Sequence, residues 1–146
     1  MNYKDAEIKI KDLVNGSNEV LKDVVDFLEN NFTHYSWVGI YLVEGSNLIL
    51  GPWKGPYATE HTCIPIGQGI CGAAAASGTT EVIPDVNSDN RYLSCFVSTK
   101  SEIVIPIKKN GKIVGEIDID SDKTAAFSRE DCDFLNLVAD LISPFI

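Results

Sequence analysis

Cations are scarce in this sequence: 12 lysines and arginines face 21 aspartates and glutamates across 146 residues, for a formal charge of −9. Nonspecific attraction to nucleic acid or to anionic membranes is driven by Lys and Arg, so neither partner is expected, and a small ligand or another protein is expected instead. No run approaches the roughly 18 consecutive apolar residues of a membrane span. The Met1-Asn2-Tyr3-Lys4-Asp5 start lacks the basic-then-apolar plan of a signal peptide, which leads to the expectation of a cytoplasmic protein. A Pro/Ser-rich linker, a charge block and an internal repeat are also missing. Residues 1–146 are therefore expected to form a single domain, with one core able to bury about two-thirds of the surface of the unfolded chain.

The four cysteines, Cys63, Cys71, Cys95 and Cys132, contain no CxxC pair, so neither a thioredoxin-type motif nor a zinc ribbon has the spacing it needs. A chain of this size needs no disulfide scaffold, and the cytosol keeps thiols reduced. The cysteines are expected to be free or redox-active. His61, Cys63 and Cys71 are separated by no common zinc spacing, so no metal is expected, and nothing points to a cofactor. Cys132 lies three residues before Leu135 in a helical stripe with Val138, Ala139 and Ile142, which assigns it to the buried face of the last helix.

Two helices are expected over residues 1–31, the second capped by Ser17-Asn18-Glu19 and striped by Leu21, Val24, Val25 and Leu28. Strands follow at Trp37 to Val43 and Leu48 to Leu50, with Gly51-Pro52 and Gly55-Pro56 ending the pair in a loop. Cys63 to Ile66 reads as a short strand, Gly69 to Ser77 as an Ala-rich helix ended by Gly78, and Thr80 to Ile83 as another strand. A long loop from Asn87 to about Thr99 carries Cys95. A hairpin of Ser101 to Ile107 with Lys112 to Ile119 comes next, then a helix over 128–142 capped by Ser128. The layout is α+β: a largely antiparallel sheet of about six strands, with N- and C-terminal helices packed on one face.

Hairpin register fixes which side chains meet. Glu102, Val104 and Pro106 alternate with Ile103, Ile105 and Ile107, and Glu116, Asp118 and Asp120 alternate with Ile117 and Ile119. A two-residue Asn110-Gly111 turn would mix these faces. A three-residue Lys109-Asn110-Gly111 loop would instead pair Ile103 with Ile117, Glu102 with Asp118 and Lys100 with Asp120. Glu102, Asp118 and Asp120 then gather on one side, just after the loop with Cys95. Such carboxylates suit an ammonium ligand, and they equally suit an antiparallel sheet with one wet face. Cys95, seven positions before Glu102, adds a thiol to an acid, the minimum equipment for attacking an electrophilic heteroatom while supplying a proton.

The segments Trp37 to Leu42, Leu50-Gly51-Pro52-Trp53-Lys54-Gly55, Ile66-Gly67-Gln68-Gly69-Ile70-Cys71-Gly72, Pro84-Asp85-Val86, Lys100 to Ile107 and Gly115 to Ser121 occur in order between about Ser36 and Phe134. In these the chain resembles the free methionine-(R)-sulfoxide reductases, which are stand-alone GAF domains. The resemblance implies a six-stranded sheet and a pocket closed by the Cys95 loop. The implied substrate is free methionine-(R)-sulfoxide, and the implied reductant a thioredoxin-like or other dithiol. Cys95 matches the family's catalytic thiol and Cys71 its second thiol, while Glu102, Asp118 and Asp120 match its pocket acids. Trp37 matches its pocket aromatic, and Tyr41 of the same segment is assigned with it to substrate binding. A homodimer is a further expectation.

By these roles Cys95 would attack the sulfoxide sulfur, Glu102 would protonate the oxygen, and methionine would leave with Cys95 as a sulfenic acid for a second cysteine to resolve. Many members carry a resolving cysteine ten positions before the residue matching Cys71, where this chain has His61. Cys63, two residues on and on the same face if the segment is extended, could replace it; Cys71 or an external thiol are the alternatives. The family's Asp after the catalytic cysteine is Phe96 here. A ligand-sensing GAF module and a Cys71–Cys95 redox sensor are the other classes the pattern admits.

Overall fold

The computed structural model describes residues 1–94 and 96–146, so Cys95 lies outside the described residues. Two helices, α1 (Tyr3–Gly16) and α2 (Val20–Asn31), lead into strands β1 (Trp37–Glu44) and β2 (Asn47–Lys54). The short strand β3 (Cys63–Pro65), helix α3 (Gly69–Ser77) and strand β4 (Glu81–Ile83) follow, then β5 (Ser101–Lys109), β6 (Lys112–Ser121) and α4 (Arg129–Ile142). The six strands form one antiparallel sheet in the order β3-β2-β1-β6-β5-β4.

Helices α1, α2 and α4 cover one face. There Val38, Ile40, Ile103, Ile105, Ile107, Ile117 and Ile119 pack against Ile10, Val24, Leu28, Leu135 and Val138. Each such side chain taken fully out of water contributes about 1.5–3 kcal/mol before the entropic cost of ordering it. Helix α3 and the loops cover the other face, where Tyr41, Leu48, Ile64, Ile70, Ala74, Ile83 and Val104 make a smaller core. The start of α4 is fixed by a capping box in which Ser128 and Asp131 bond each other's backbone N–H. Cys132 sits on the flank of α4, half-buried against the larger core rather than within it.

Two expectations about the strands are corrected. Strand β2 does not stop at Gly51-Pro52 but runs on to Lys54. A register shift between Gly39 and Tyr41 of β1 leaves an extra residue opposite in β2, a bulge where Pro52 needs no ladder N–H. The β5–β6 turn is the two-residue Asn110-Gly111, whose φ values of 54° and 78° are those of a type I′ turn and suit Asn-Gly. The faces stay unmixed because a second shift sets Ile107 opposite Gly115 and Lys108 opposite Ile113, making Val114 a bulge. Ile103 therefore pairs with Ile119, not Ile117, and Glu102 with Asp120, not Asp118.

Candidate active site

On the face covered by α3, the alternation of three adjacent strands brings one set of side chains together. Strand β5 contributes Glu102, β6 contributes Glu116, Asp118 and Asp120, and β1 contributes Trp37 and Tyr41. Trp37 is paired with Asp120, Gly39 with Asp118 and Tyr41 with Glu116, while Val104 and Pro106 of β5 face Asp118 and Glu116. Asp118 is thus diagonal to Glu102. Lys100 is not opposite Asp120; its N–H donates to the Ser121 carbonyl at 2.8 Å.

The polar face is buried. Glu102 is 5% exposed, Asp118 and Asp120 are each 3% exposed, and Glu116 is 0% exposed. Burial raises all four carboxyls above the ordinary range, because taking a carboxylate out of water disfavours its charge. The Asp118 and Asp120 charges raise Glu102 further, whereas at Asp118 hydrogen bonding with Glu102 and Cys71 offsets part of the effect of burial. Glu102, raised by burial and by two neighbouring carboxyls, is thus biased toward its protonated form, and hydrogen bonding makes that bias weaker at Asp118. Thr99 Oγ1 lies 3.5 Å from Asp120 Oδ2. Among the described residues, Asp118 Oδ1, Asp120 Oδ1 and both Glu116 oxygens have no hydrogen-bond partner.

Cys71, in the first turn of α3, points its thiol into this cluster, with Sγ 3.9 Å from Glu102 Oε2. Burial pushes its pKa well up, and the charges of Asp118, Glu116, Glu102 and Asp120 add to the rise, so it is held as a thiol. Tyr41, His61, Ile64, Ile70, Cys71, Leu93, Glu102 and Asp118 enclose a cavity of about 20 Å³. That is room for roughly one water.

The loop between β4 and β5 makes the roof. Leu93 rests on Gly69, whose φ of 67° suits glycine and where an added Cβ would come within 2.8 Å of the leucine Cδ1. His61 Nε2 lies 3.1 Å from the Ser94 carbonyl oxygen, and the Tyr41 hydroxyl donates to the His61 carbonyl at 2.7 Å. Arg91 ties the same loop to the sheet edge, donating to Glu81 Oε1 at 3.0 Å and Oε2 at 3.2 Å and to Asp89 Oδ2 at 2.7 Å. Such two-pronged guanidinium contacts fix a loop in one geometry.

The candidate residues thus separate. Glu102, Asp118, Asp120, Cys71 and Tyr41 come together, and Trp37 stands beyond Asp120. Buried to 2% exposure, Trp37 stacks on Trp53 with centroids 6.1 Å apart, meets the Phe96 ring at 6.0 Å and donates Nε1–H to the Tyr57 carbonyl at 3.2 Å. Cys63 is exposed on edge strand β3 and does not line the cavity. The segment before it is not extended, because Thr62 N–H closes a tight turn onto the Glu60 carbonyl, so His61 and Cys63 do not share a face. Sequence reasoning placed Glu116 on the right face without giving it a part, and missed Leu93 and the His61–Ser94 contact. Alternation could have found Glu116; the loop contacts have no periodic signal.

A model of the GAF domain family matches residues 17–144. Over 132 residues the chain is 34% identical to a protein named free methionine-R-sulfoxide reductase from Escherichia coli, covering 88% of this chain and 79% of that one. A solved structure of a type II free methionine-R-sulfoxide reductase from Thermoplasma acidophilum is 39% identical, covers 92% of this chain and 93% of its own, and superposes with a TM-score of 0.84. A free methionine-R-sulfoxide reductase from Neisseria meningitidis, solved in complex with its substrate, is 33% identical, covers 97% and 86%, and gives a TM-score of 0.91. With a buried acid and thiol cluster set into this fold, the chain belongs to the GAF domain family and, within it, to the family of the free methionine-R-sulfoxide reductases.

Proposed function

We propose that this protein reduces free L-methionine-(R)-sulfoxide to L-methionine in the cytoplasm, with Cys95 as the attacking thiol. The observation that carries the reading is the buried Glu102, Asp118 and Asp120 cluster facing the Cys71 thiol, in a chain whose relatives bear this name. Asp118 and Asp120 receive the substrate ammonium, whose charge compensates the burial that otherwise raises both carboxyls. The substrate carboxylate goes to the first-turn amides of α3, Gly69 to Cys71; the neighbouring amides of Gly67 and Gln68 are already spent on the carbonyls of Gly72 and Pro65. With room for about one water in the cavity, the β4–β5 loop has to lift Leu93 off Gly69 before substrate enters.

Chemistry then follows from the proton held on Glu102. Cys95, as its thiolate after loss of its proton to solvent, bonds to the sulfoxide sulfur, Glu102 gives its proton to the sulfoxide oxygen, and transfer of that hydroxyl to Cys95 releases methionine and leaves a sulfenic acid. The sulfoxide is reduced by two electrons and the cysteine oxidised by two. Cys71 resolves the sulfenic acid, forming a disulfide and expelling water; its place in the cavity wall favours it over the outward-facing Cys63. A thioredoxin-like or other dithiol returns the disulfide to two thiols.

The test is a dithiol-supported methionine-release assay on both epimers. Turnover of the (R) epimer alone, abolished in Cys95→Ser and reduced to a single turnover in Cys71→Ser, is expected. Binding of the (R) epimer without release of methionine under excess dithiol would reject the reading.

A further inference from the structure

We propose that Cys71 Sγ, Glu102 and Asp118 together form a binding site for a thiophilic divalent cation of the zinc class. The three donor atoms lie within 4.8 Å of one another, on α3, β5 and β6, and all three residues are buried. Zinc holds sulfur at about 2.3 Å and carboxylate oxygen at about 2.0–2.2 Å, so a shared ion needs these donors to close by roughly 1 Å.

Two further observations point to a ligand. Asp118 is 3% exposed and lines the cavity, yet its Oδ1 has no partner among the described residues, an arrangement that is costly unless something arrives to bond it. The cavity the three residues share measures about 20 Å³, enough for one small ion or water and no more. Once the ion has displaced the protons of Cys71 and Glu102 to solvent, one sulfur with two carboxylates is a borderline-soft donor set, which favours zinc or its analogues over calcium and magnesium, whose ligands are all oxygen. Sequence spacing could not find this site, because its ligands stand 31 and 16 residues apart on three elements.

An ion there would occupy the proton donor, the second thiol and one ammonium-binding carboxylate at once, so it excludes substrate. That consequence rests on the proposed reduction; the metal site itself does not. Cobalt(II) titrated into the reduced protein should give a near-ultraviolet thiolate-to-cobalt charge-transfer band saturating at one equivalent. Cys71→Ser should abolish the band, Asp118→Asn should weaken zinc binding at least about tenfold in competition with a chromophoric chelator, and a Cys63→Ser/Cys132→Ser protein should keep both signals. X-ray absorption on the zinc-loaded wild-type chain, independent of how any variant folds, should show one sulfur neighbour among oxygens. A spectrum with no sulfur neighbour, or a band that survives Cys71→Ser, overturns the site. Zinc that binds through Cys71 but leaves turnover unchanged overturns the exclusion of substrate alone, while absent turnover with intact metal binding counts against the reductase reading.

Discussion

Asp131 and Asp118 are both aspartates with almost no exposed surface, on opposite sides of one sheet, and the protein treats them in opposite ways. Asp131, at the start of α4, accepts hydrogen bonds from the Tyr3 hydroxyl at 2.6 Å, the Tyr35 hydroxyl at 2.7 Å and Ser128 N–H at 2.8 Å, with His34 Nε2 at 2.9 Å. Burial pushes its carboxyl up, but the bonds from His34, Tyr3, Ser128 and Tyr35 outweigh burial and hold it well below the usual carboxylate range. Asp118 keeps an unpartnered oxygen and is raised. Asp131 ties α1, the loop before β1 and α4 into one unit, whereas the pocket acids are left short of partners, which is what a site needs if a ligand is to complete it.

Breaking the pocket side of that comparison should give the largest effect. Glu102→Gln keeps the shape of the side chain and removes its transferable proton, so turnover of methionine-(R)-sulfoxide should fall by about 10²–10⁴-fold. Single-turnover methionine release by quenched flow reads this step directly. A loss under about tenfold would mean that the proton comes from elsewhere.

On the other side, Asp131→Ala strands the buried Tyr35 hydroxyl and takes the acceptor from the partly buried Tyr3 hydroxyl and from the N–H of Ser128, the N-cap of α4. A stability loss of about 3 kcal/mol is expected, since the orphaned Tyr35 donor costs its full desolvation and the other bonds to Asp131 are lost with it. In a chain of this length that is a fall of roughly 10 °C in Tm by calorimetry. Unchanged Tm would show that Asp131 contributes nothing beyond its capping box.

Stability against pH should show both behaviours with opposite signs. Asp131 ionises more easily folded than unfolded, so its stabilisation is fully present above the unfolded value of about 3.9 and is lost as pH falls from there toward the lowered folded value. For Glu102, Glu116 and Asp120 the folded chain holds protons that the unfolded chain releases. Between the unfolded value of about 4 and the raised folded values, each such group makes stability fall as pH rises, by about 1.4 kcal/mol per pH unit. Urea midpoints across pH should therefore show Asp131→Asn losing the acid-side rise and Glu116→Gln flattening the decline above it.

How far the sequence revealed this contrast can be traced in particular residues. The Glu102, Asp118 and Asp120 face was legible because side-chain direction depends only on parity along a strand, which survives an error of two in register. The register itself was not legible, since a two-residue turn and a bulge at Val114 offset each other and neither leaves a hydropathy signal. Pro52 looked like a terminator and is a bulge residue for a similar reason. Family resemblance brought in Cys71 and Trp37, which no periodicity would have joined to the acids. Cys63 failed as a pocket residue because one turn at Glu60 to Thr62 breaks the extended geometry that would have aimed it inward. Asp131 had no local signal beyond lying in the first turn of the helix that Ser128 caps; its partners Tyr3, His34 and Tyr35 lie about a hundred residues away, beyond any local pattern.

The smallest expected effect sharpens the comparison most. Glu116 is 0% exposed, and neither of its oxygens has a partner among the described residues, so it has the cost of a pocket acid with no assigned part in the reaction. Burial raises its carboxyl and the Asp118 charge adds to that, while the nearby Cys71 thiol offsets only part of the rise. If it is only an unsatisfied polar group, Glu116→Met should be stabilising by about 1 kcal/mol, because a thioether of similar length fills the same space without a desolvation cost. The measured Tm should then rise by roughly 2–4 °C with methionine release unaltered. A fall in Tm would place Glu116 with Asp131 as a group that the fold depends on, whereas a rise in Tm with lost turnover would place it with Glu102 and Asp118 as a group kept for the ligand.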